Sequence, residues 1–250
     1  MDHTLLNTHL VTEAAKLKAA FATAAPDVKV PTCPDWTAAD LIDHVTETYD
    51  HKIQSMRLMR APGEDFRIDR PGGPAAQFDG ALADLIAEFA SRGPESLSYT
   101  WYGPDQSVGF WIRRMAQETV IHRADAELAA GQPISPVDDA LALDGIDEML
   151  TVMLTWGSRA FRDSVADEIA ANNGLEVALQ AGTQSWTIQV DPEGVSAVEG
   201  VTAAAQATLT GTPDEVLLWL WRRLPVDALD VKGHRTKPEA LYDLIGAFAQ

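Results

Sequence analysis

The sequence predicts a mainly α N-terminal domain, a four-helix bundle over residues 1–168, followed by a smaller α+β domain over residues 169–250. Three observations carry this reading. Up to about residue 160, apolar residues recur at helical spacing between Pro- and Gly-rich breaks. After about residue 172 the period changes to alternation, as in Leu175-Glu176-Val177-Ala178-Leu179 and Trp186-Thr187-Ile188-Gln189-Val190. Further on, Gly211-Thr212-Pro213-Asp214 reads as a helix start, with Thr212 as cap, Pro213 at the first position and Glu215 at the third.

Taken in order, Leu6, Leu10, Leu17 and Phe21 mark a first helix that Pro26 ends. Val30-Pro31-Thr32-Cys33-Pro34-Asp35-Trp36 is expected to turn. Thr37 and Asp40 then form a capping box for a second helix reaching about Met59. Residues 61–74 read as a loop. A third helix is expected near residues 78–89, a fourth over 108–128 and a fifth over 137–156. Four such helices joined by loops describe an up-and-down bundle with one helix appended. In the second domain, residues 175–179 and 186–190 make a hairpin about Gly182-Thr183, and Ala207-Thr208-Leu209 is a third strand. A mostly apolar helix over 214–223, a last strand at Val231 and a closing helix over 238–249 complete the chain.

Composition narrows the function. The net charge of −18 is wrong for phosphate backbones, so no nucleic acid is expected. No run approaches the roughly 18 apolar residues of a membrane helix. Met1-Asp2-His3-Thr4 lacks the basic start of a secretory signal, and one cysteine, Cys33, allows no internal disulfide. Both point to the cytoplasm. Monomer and homodimer are equally compatible with these features.

One constellation carries chemistry. Glu118 and His122, four apart on the fourth helix, share a face with Trp111 and Met115, so both point into the bundle. An unpaired carboxylate there would cost several kcal/mol, which a divalent cation would remove. His44, bordering the apolar side of the second helix, is the best third ligand. Two imidazoles and one carboxylate suit zinc and leave a coordination position open, although iron(II), nickel and manganese are also compatible. By spacing alone, a hydrogen-bonded core histidine is the commoner outcome for such a pair.

The motifs add a resemblance. Val30-Pro31-Thr32-Cys33-Pro34-Asp35-Trp36-Thr37 with Asp40-Leu41-Ile42-Asp43-His44-Val45, and Met115-Ala116-Gln117-Glu118-Thr119-Val120-Ile121-His122-Arg123-Ala124-Asp125-Ala126-Glu127, resemble the mycothiol-dependent maleylpyruvate isomerase family. That family is a branch of the DinB-like metal-binding bundles. Residues 209–225 are similar to its sterol-carrier-like second domain. The resemblance implies a metal triad of His44, Glu118 and His122, mycothiol as a small-molecule thiol, and an electrophilic substrate. It also makes Arg223 a catalytic candidate for holding an anionic group, a position where the helix dipole alone favours a cation. Gln117, Ala124 and Arg222 depart from the family pattern, which leaves the ligand set intact and the substrate open.

The implied activity is that of a zinc-dependent enzyme using mycothiol, a transferase or a maleylpyruvate-type cis–trans isomerase. The alternatives are a non-catalytic metal- or small-ligand-binding bundle, and a regulatory module without metal. Cys33 reads as a structural thiol rather than a nucleophile, and His51 as solvated or adjacent to the site. Asp125 either orients a ligand histidine or pairs with Arg123. His3, His9 and His234 read as surface residues.

Overall fold

The computed structural model describes residues 1–63 and 66–248. It divides into two compact units, Met1–Ser135 and Pro136–Gln250. In the first unit the elements are α1 (His3–Phe21), β1 (Lys29–Val30), β2 (Cys33–Thr37), α2 (Ala38–Leu58), α3 (Pro74–Arg92) and α4 (Val108–Ala129). Here α1 packs along α4, and α2 packs on both α3 and α4.

Local chemistry sets the helix limits. Asp2 accepts from the Leu5 N–H at 2.9 Å to start α1. The expected capping box of Thr37 and Asp40 starts α2, which ends at Met59 in a left-handed conformation with φ 54°. Ser107 accepts from the Phe110 N–H at 3.2 Å to start α4. The third helix begins earlier than expected because Pro74 occupies its first position, where a missing N–H costs nothing. The turn read at residues 30–36 contains a short antiparallel pairing of β1 and β2, Val30 opposite Cys33. In the loop before α3, Glu64 and Asp65 lie outside the described residues. Arg70 ties that loop to α2 through Asp50 at 2.5 Å and to α3 through Asp84 at 2.8 Å.

The core contains Leu6, Leu10 and Leu17 of α1, Leu41, Val45 and Tyr49 of α2, Phe78 and Leu85 of α3, and Trp111 and Met115 of α4. α4 differs from a surface helix in being buried almost all round, polar positions included. Arg123 is fully buried, and its guanidinium donates to Glu13 of α1 at 2.8 Å, to Glu127 at 2.7 Å and to the Ser135 carbonyl at 2.6 Å.

The second unit opens with α5 (Asp139–Glu148), which widens without a break into a π-helical stretch, Met149–Trp156. Then come α6 (Gly157–Ala160), a 3₁₀ turn, α7 (Ala166–Ala171), β3 (Glu176–Ala181), β4 (Gln184–Asp191), β5 (Gly194–Glu199), β6 (Ala207–Gly211), α8 (Pro213–Leu220), β7 (Asp230–Gly233) and α9 (Thr236–Ile245). The sheet order is β5-β4-β3-β6-β7. The β3–β4 hairpin sets Leu179 opposite Trp186 and Val177 opposite Ile188, while β6 runs parallel to β3. These apolar positions share one face, and α8 and α9 pack on β3 and β6.

Several limits differ from the expectation. The π-helical stretch packs on β5, and α5 packs on α8, so the fifth predicted helix is grouped with the sheet rather than appended to the bundle. Accordingly the compact units meet at Ser135 and Pro136, not near residue 168. β5 was not anticipated. α8 stops at Leu220 rather than 223 because Arg222 turns left-handed at φ 63°. The closing helix ends at Ile245, and Ala249, its expected end, lies outside the described residues.

Arg123 provides the test of this core. Arg123→Met leaves Glu13 and Glu127 buried without their shared cation, and should destabilise the first unit by about 3–5 kcal/mol. Urea unfolding should show a lower midpoint at unchanged slope. An unchanged midpoint would show that α1 and α4 hold together without the ion network.

Candidate metal centre

His44 lies on α2 in the second turn after its cap, and Glu118 and His122 are one turn apart on α4. The contact of α2 with α4 brings the three together. His44 Nε2 is 3.4 Å, and His122 Nε2 3.2 Å, from the same oxygen, Glu118 Oε1. One ligand atom from each of the three falls within 4.8 Å of the others. The two imidazole rings are 5.1 Å apart, edge to face at 74°. This is the set picked from the sequence.

Three further residues set its geometry. Asp125, fully buried, faces His122 Nδ1 at 2.9 Å, so that nitrogen donates and Nε2 is left facing the centre. Asp125 is itself held by the Thr32 hydroxyl at 2.5 Å, from the turn between β1 and β2. Cys33 Sγ lies 4.0 Å from Asp125, so the single thiol takes part in the same support. Arg114, one turn before Glu118, forms a close ion pair with Glu118 Oε2. Thus one carboxylate oxygen is anchored while the other meets both imidazoles. Trp36 of β2 covers the site, its ring 4.5 Å from His44 and 6.0 Å from His122.

The electrostatics follow from burial and pairing. Burial alone would push the Glu118 carboxyl up, but the adjacent His122 and Arg114 charges outweigh it and hold Glu118 well below the usual carboxylate range. Burial would push the His122 ring down, yet Glu118 and the Asp125 hydrogen bond raise it to about 9. Without a metal, the ring is therefore a cation held between two carboxylates. A donor set of one strongly acidic carboxylate and two imidazoles, one oriented by a buried acid, fits a divalent ion of the zinc type.

Of the other sequence candidates, Arg223 belongs to the second unit. It is buried just after α8 and donates to the Trp221 carbonyl at 2.6 Å. His51 accepts from Lys52 at 3.2 Å, and burial with the Lys52 charge pushes it down to about 4. His234 is exposed as expected, whereas His3 is half-buried, its ring against Gly109 at the start of α4. Between the two roles open to Asp125, the geometry gives orientation of His122. Arg114 and Trp36 were missed as site residues. The signal for Arg114 was its i,i+4 spacing to Glu118, and for Trp36 its place just before the cap of α2.

The His122 ring can be followed directly. In the metal-free protein its imidazole resonances should titrate near pH 9, and Asp125→Asn should move the midpoint down toward 6.5. A raised folded-state value means this interaction stabilises fully below about pH 6.5 and is lost as pH rises through about 9. A midpoint near 6.5 in the unaltered protein would contradict the geometry.

Comparison with known proteins agrees with the motifs. Residues 8–127 match the description "Mycothiol maleylpyruvate isomerase N-terminal domain", and residues 140–240 match "MDMPI C-terminal domain". A solved structure described as "UbiJ-SCP2 Ubiquinone synthesis protein" is similar at 16% identity over 43% of this chain and 95% of its own, with a TM-score of 0.31. That likeness is too loose to bear on function. No curated protein matches the chain. With both domains matched in order over most of its length, the chain belongs to the mycothiol maleylpyruvate isomerase family.

Proposed function

We propose that this protein is a divalent-metal enzyme, with zinc as its metal, that uses mycothiol to act on an electrophilic small molecule. The observation that carries the reading is the convergence of His44, Glu118 and His122 on one point from two helices. These three side chains would hold the ion. A metal so held would lower the pKa of a bound thiol and supply a thiolate at neutral pH.

The chain's own residues prepare that chemistry. Asp125 fixes the His122 ring so that Nε2 faces inward, and Arg114 holds Glu118 Oε2 so that Oε1 faces the imidazoles. Trp36 packs beside both rings. Arg223 is the proposed catalytic residue of the second unit, with the part of holding an anionic group of the substrate and steadying negative charge that develops on it. Two reaction types fit: a cis–trans isomerase, in which the thiol is regenerated, and a transferase, in which it leaves with the product. Measuring thiol consumption against turnover separates them. No helix among the described residues is long and apolar enough to cross a membrane, and the single cysteine fits a cytoplasmic setting.

Elemental analysis of the untagged protein should find about one divalent ion per chain, lost in His122→Ala. No ion even after reconstitution would remove the basis of the reading. Because binding must displace the His122 proton, metal affinity should rise about tenfold per pH unit between pH 7 and about 9, then level off. Asp125→Ala should weaken the metal about 10- to 100-fold, measured by competition with a chelator. An affinity independent of both pH and Asp125 would place the metal elsewhere.

A further inference from the structure

A further cation lies on the face of α2 that bears the first ligand. His44, Thr48 and Lys52 follow at intervals of four residues, so they form one row along the helix. Lys52 stands two turns beyond His44, about 12 Å along the axis. Its Nζ lies 5.2 Å from the centroid of the Trp111 ring, and Trp111 belongs to the α4 stripe that carries Glu118. The Trp111 ring is itself fixed, its Nε1 donating to Ser98 Oγ at 3.1 Å and to the Tyr99 carbonyl at 2.9 Å. Lys52 is therefore directed into the space between α2 and α4 where the triad also sits.

The surroundings of this amine are short of negative charge. Its polar contact is His51 Nδ1 at 3.2 Å, on a ring that burial keeps neutral. Among the described residues, no carboxylate forms an ion pair with Lys52. Glu118, the acid acting on it, is already paired with Arg114 and set between two imidazoles. Asp125 is committed to His122 and Thr32. Burial pushes the Lys52 amine down to about 8, with Glu118 opposing and Arg114 adding to the shift. It is therefore mostly charged at neutral pH. A half-buried cation without a counter-ion carries some cost, and the Trp111 face offsets part of it.

We propose that Lys52 binds a carboxylate of the small-molecule substrate, two helical turns along α2 from His44, so that the rest of a short carboxylic acid reaches toward His44 and Glu118. This rests on reading the triad as the reaction centre. It is a contact of the first unit by itself. A lysine that only packed on Trp111 would bind no anion.

The test uses the zinc-reconstituted full chain and maleate as probe, with binding measured by calorimetry at pH 7. Lys52→Met should weaken maleate at least about tenfold, and Lys52→Arg should recover it to within about threefold. The uncharged diamide of maleate should not distinguish the variants. Lys52→Gln serves as a second neutral variant should methionine disturb the packing on Trp111, with thermal midpoints confirming that each variant folds. Equal maleate affinity in the neutral variants and the unaltered protein would overturn the proposal, as would no maleate binding to the unaltered protein. Zinc content, measured on the same samples, keeps the two readings apart. A chain that takes no zinc yet shows the Lys52-dependent maleate affinity loses the metal reading alone. A zinc-loaded chain indifferent to Lys52 loses only this inference.

Discussion

The constraint on which the first unit depends is that its most buried helix also carries many charges. α4 is enclosed over nearly its whole length while carrying Arg114, Glu118, His122, Arg123, Asp125 and Glu127. Each of those charges would be costly to strand in the interior. Neighbouring elements are arranged to meet them. On one side Glu13 of α1 and the chain at Ser135 accept from Arg123 Nε and Nη1; on the other, His44 of α2 and Thr32 of the β1–β2 turn reach Glu118 and Asp125. The same helix thus has one side where opposite charges close on each other, and another where two imidazoles crowd one carboxylate oxygen.

That difference explains why one ion cluster reads as scaffold and the other as a site. Arg123 lies between Glu13 and Glu127, and its cation already supplies the charge those acids need. Around Glu118 Oε1 the near neighbours are two ring nitrogens that are good ligands when neutral, and that of His122 gains a proton because its ring lies between the Glu118 and Asp125 carboxylates. A divalent ion held there would do the same balancing and leave both nitrogens free to coordinate it. The contacts behind the first ring of ligands come from separate elements, so the geometry is set before anything binds.

Much of this was legible in the sequence, and the limits have physical reasons. The triad could be picked because Glu118 and His122 are one helical turn apart in an apolar stripe, because His44 borders the apolar side of α2, and because both motifs resemble those of the family. The role of Asp125 was not decidable, since an acid three residues after one basic group and two after another can face either; only the side-chain geometry selects His122. Lys52 reads as an ordinary surface lysine until its row with His44 and its contact with Trp111 are seen together. In the second unit, β3, β4 and β6 announced themselves by alternation. By contrast, Gly194-Val195-Ser196-Ala197-Val198-Glu199 has small side chains and its two valines three apart, so it does not alternate and does not stand out. The fifth predicted helix was legible as helix, but neither its π-helical widening nor its packing on β5 follows from periodicity, because both depend on tertiary contacts.

The ion pair of Arg114 with Glu118 at first looks like competition for the site, since the cation sits on the carboxylate a metal would need. The two oxygens resolve this. Arg114 takes Oε2, and Oε1 alone faces the imidazoles. The arginine therefore holds the carboxylate in a one-oxygen mode and draws electron density away from it. A ligand weakened in this way leaves a bound metal with more of its own charge, which costs some affinity and gains acidity at the metal. For a centre proposed to turn a thiol into a thiolate at neutral pH, acidity is the property that matters, and two oriented imidazoles can supply the affinity. On this argument Arg114 belongs to the chemistry of the site as much as to its architecture, although it would never touch the reacting atoms.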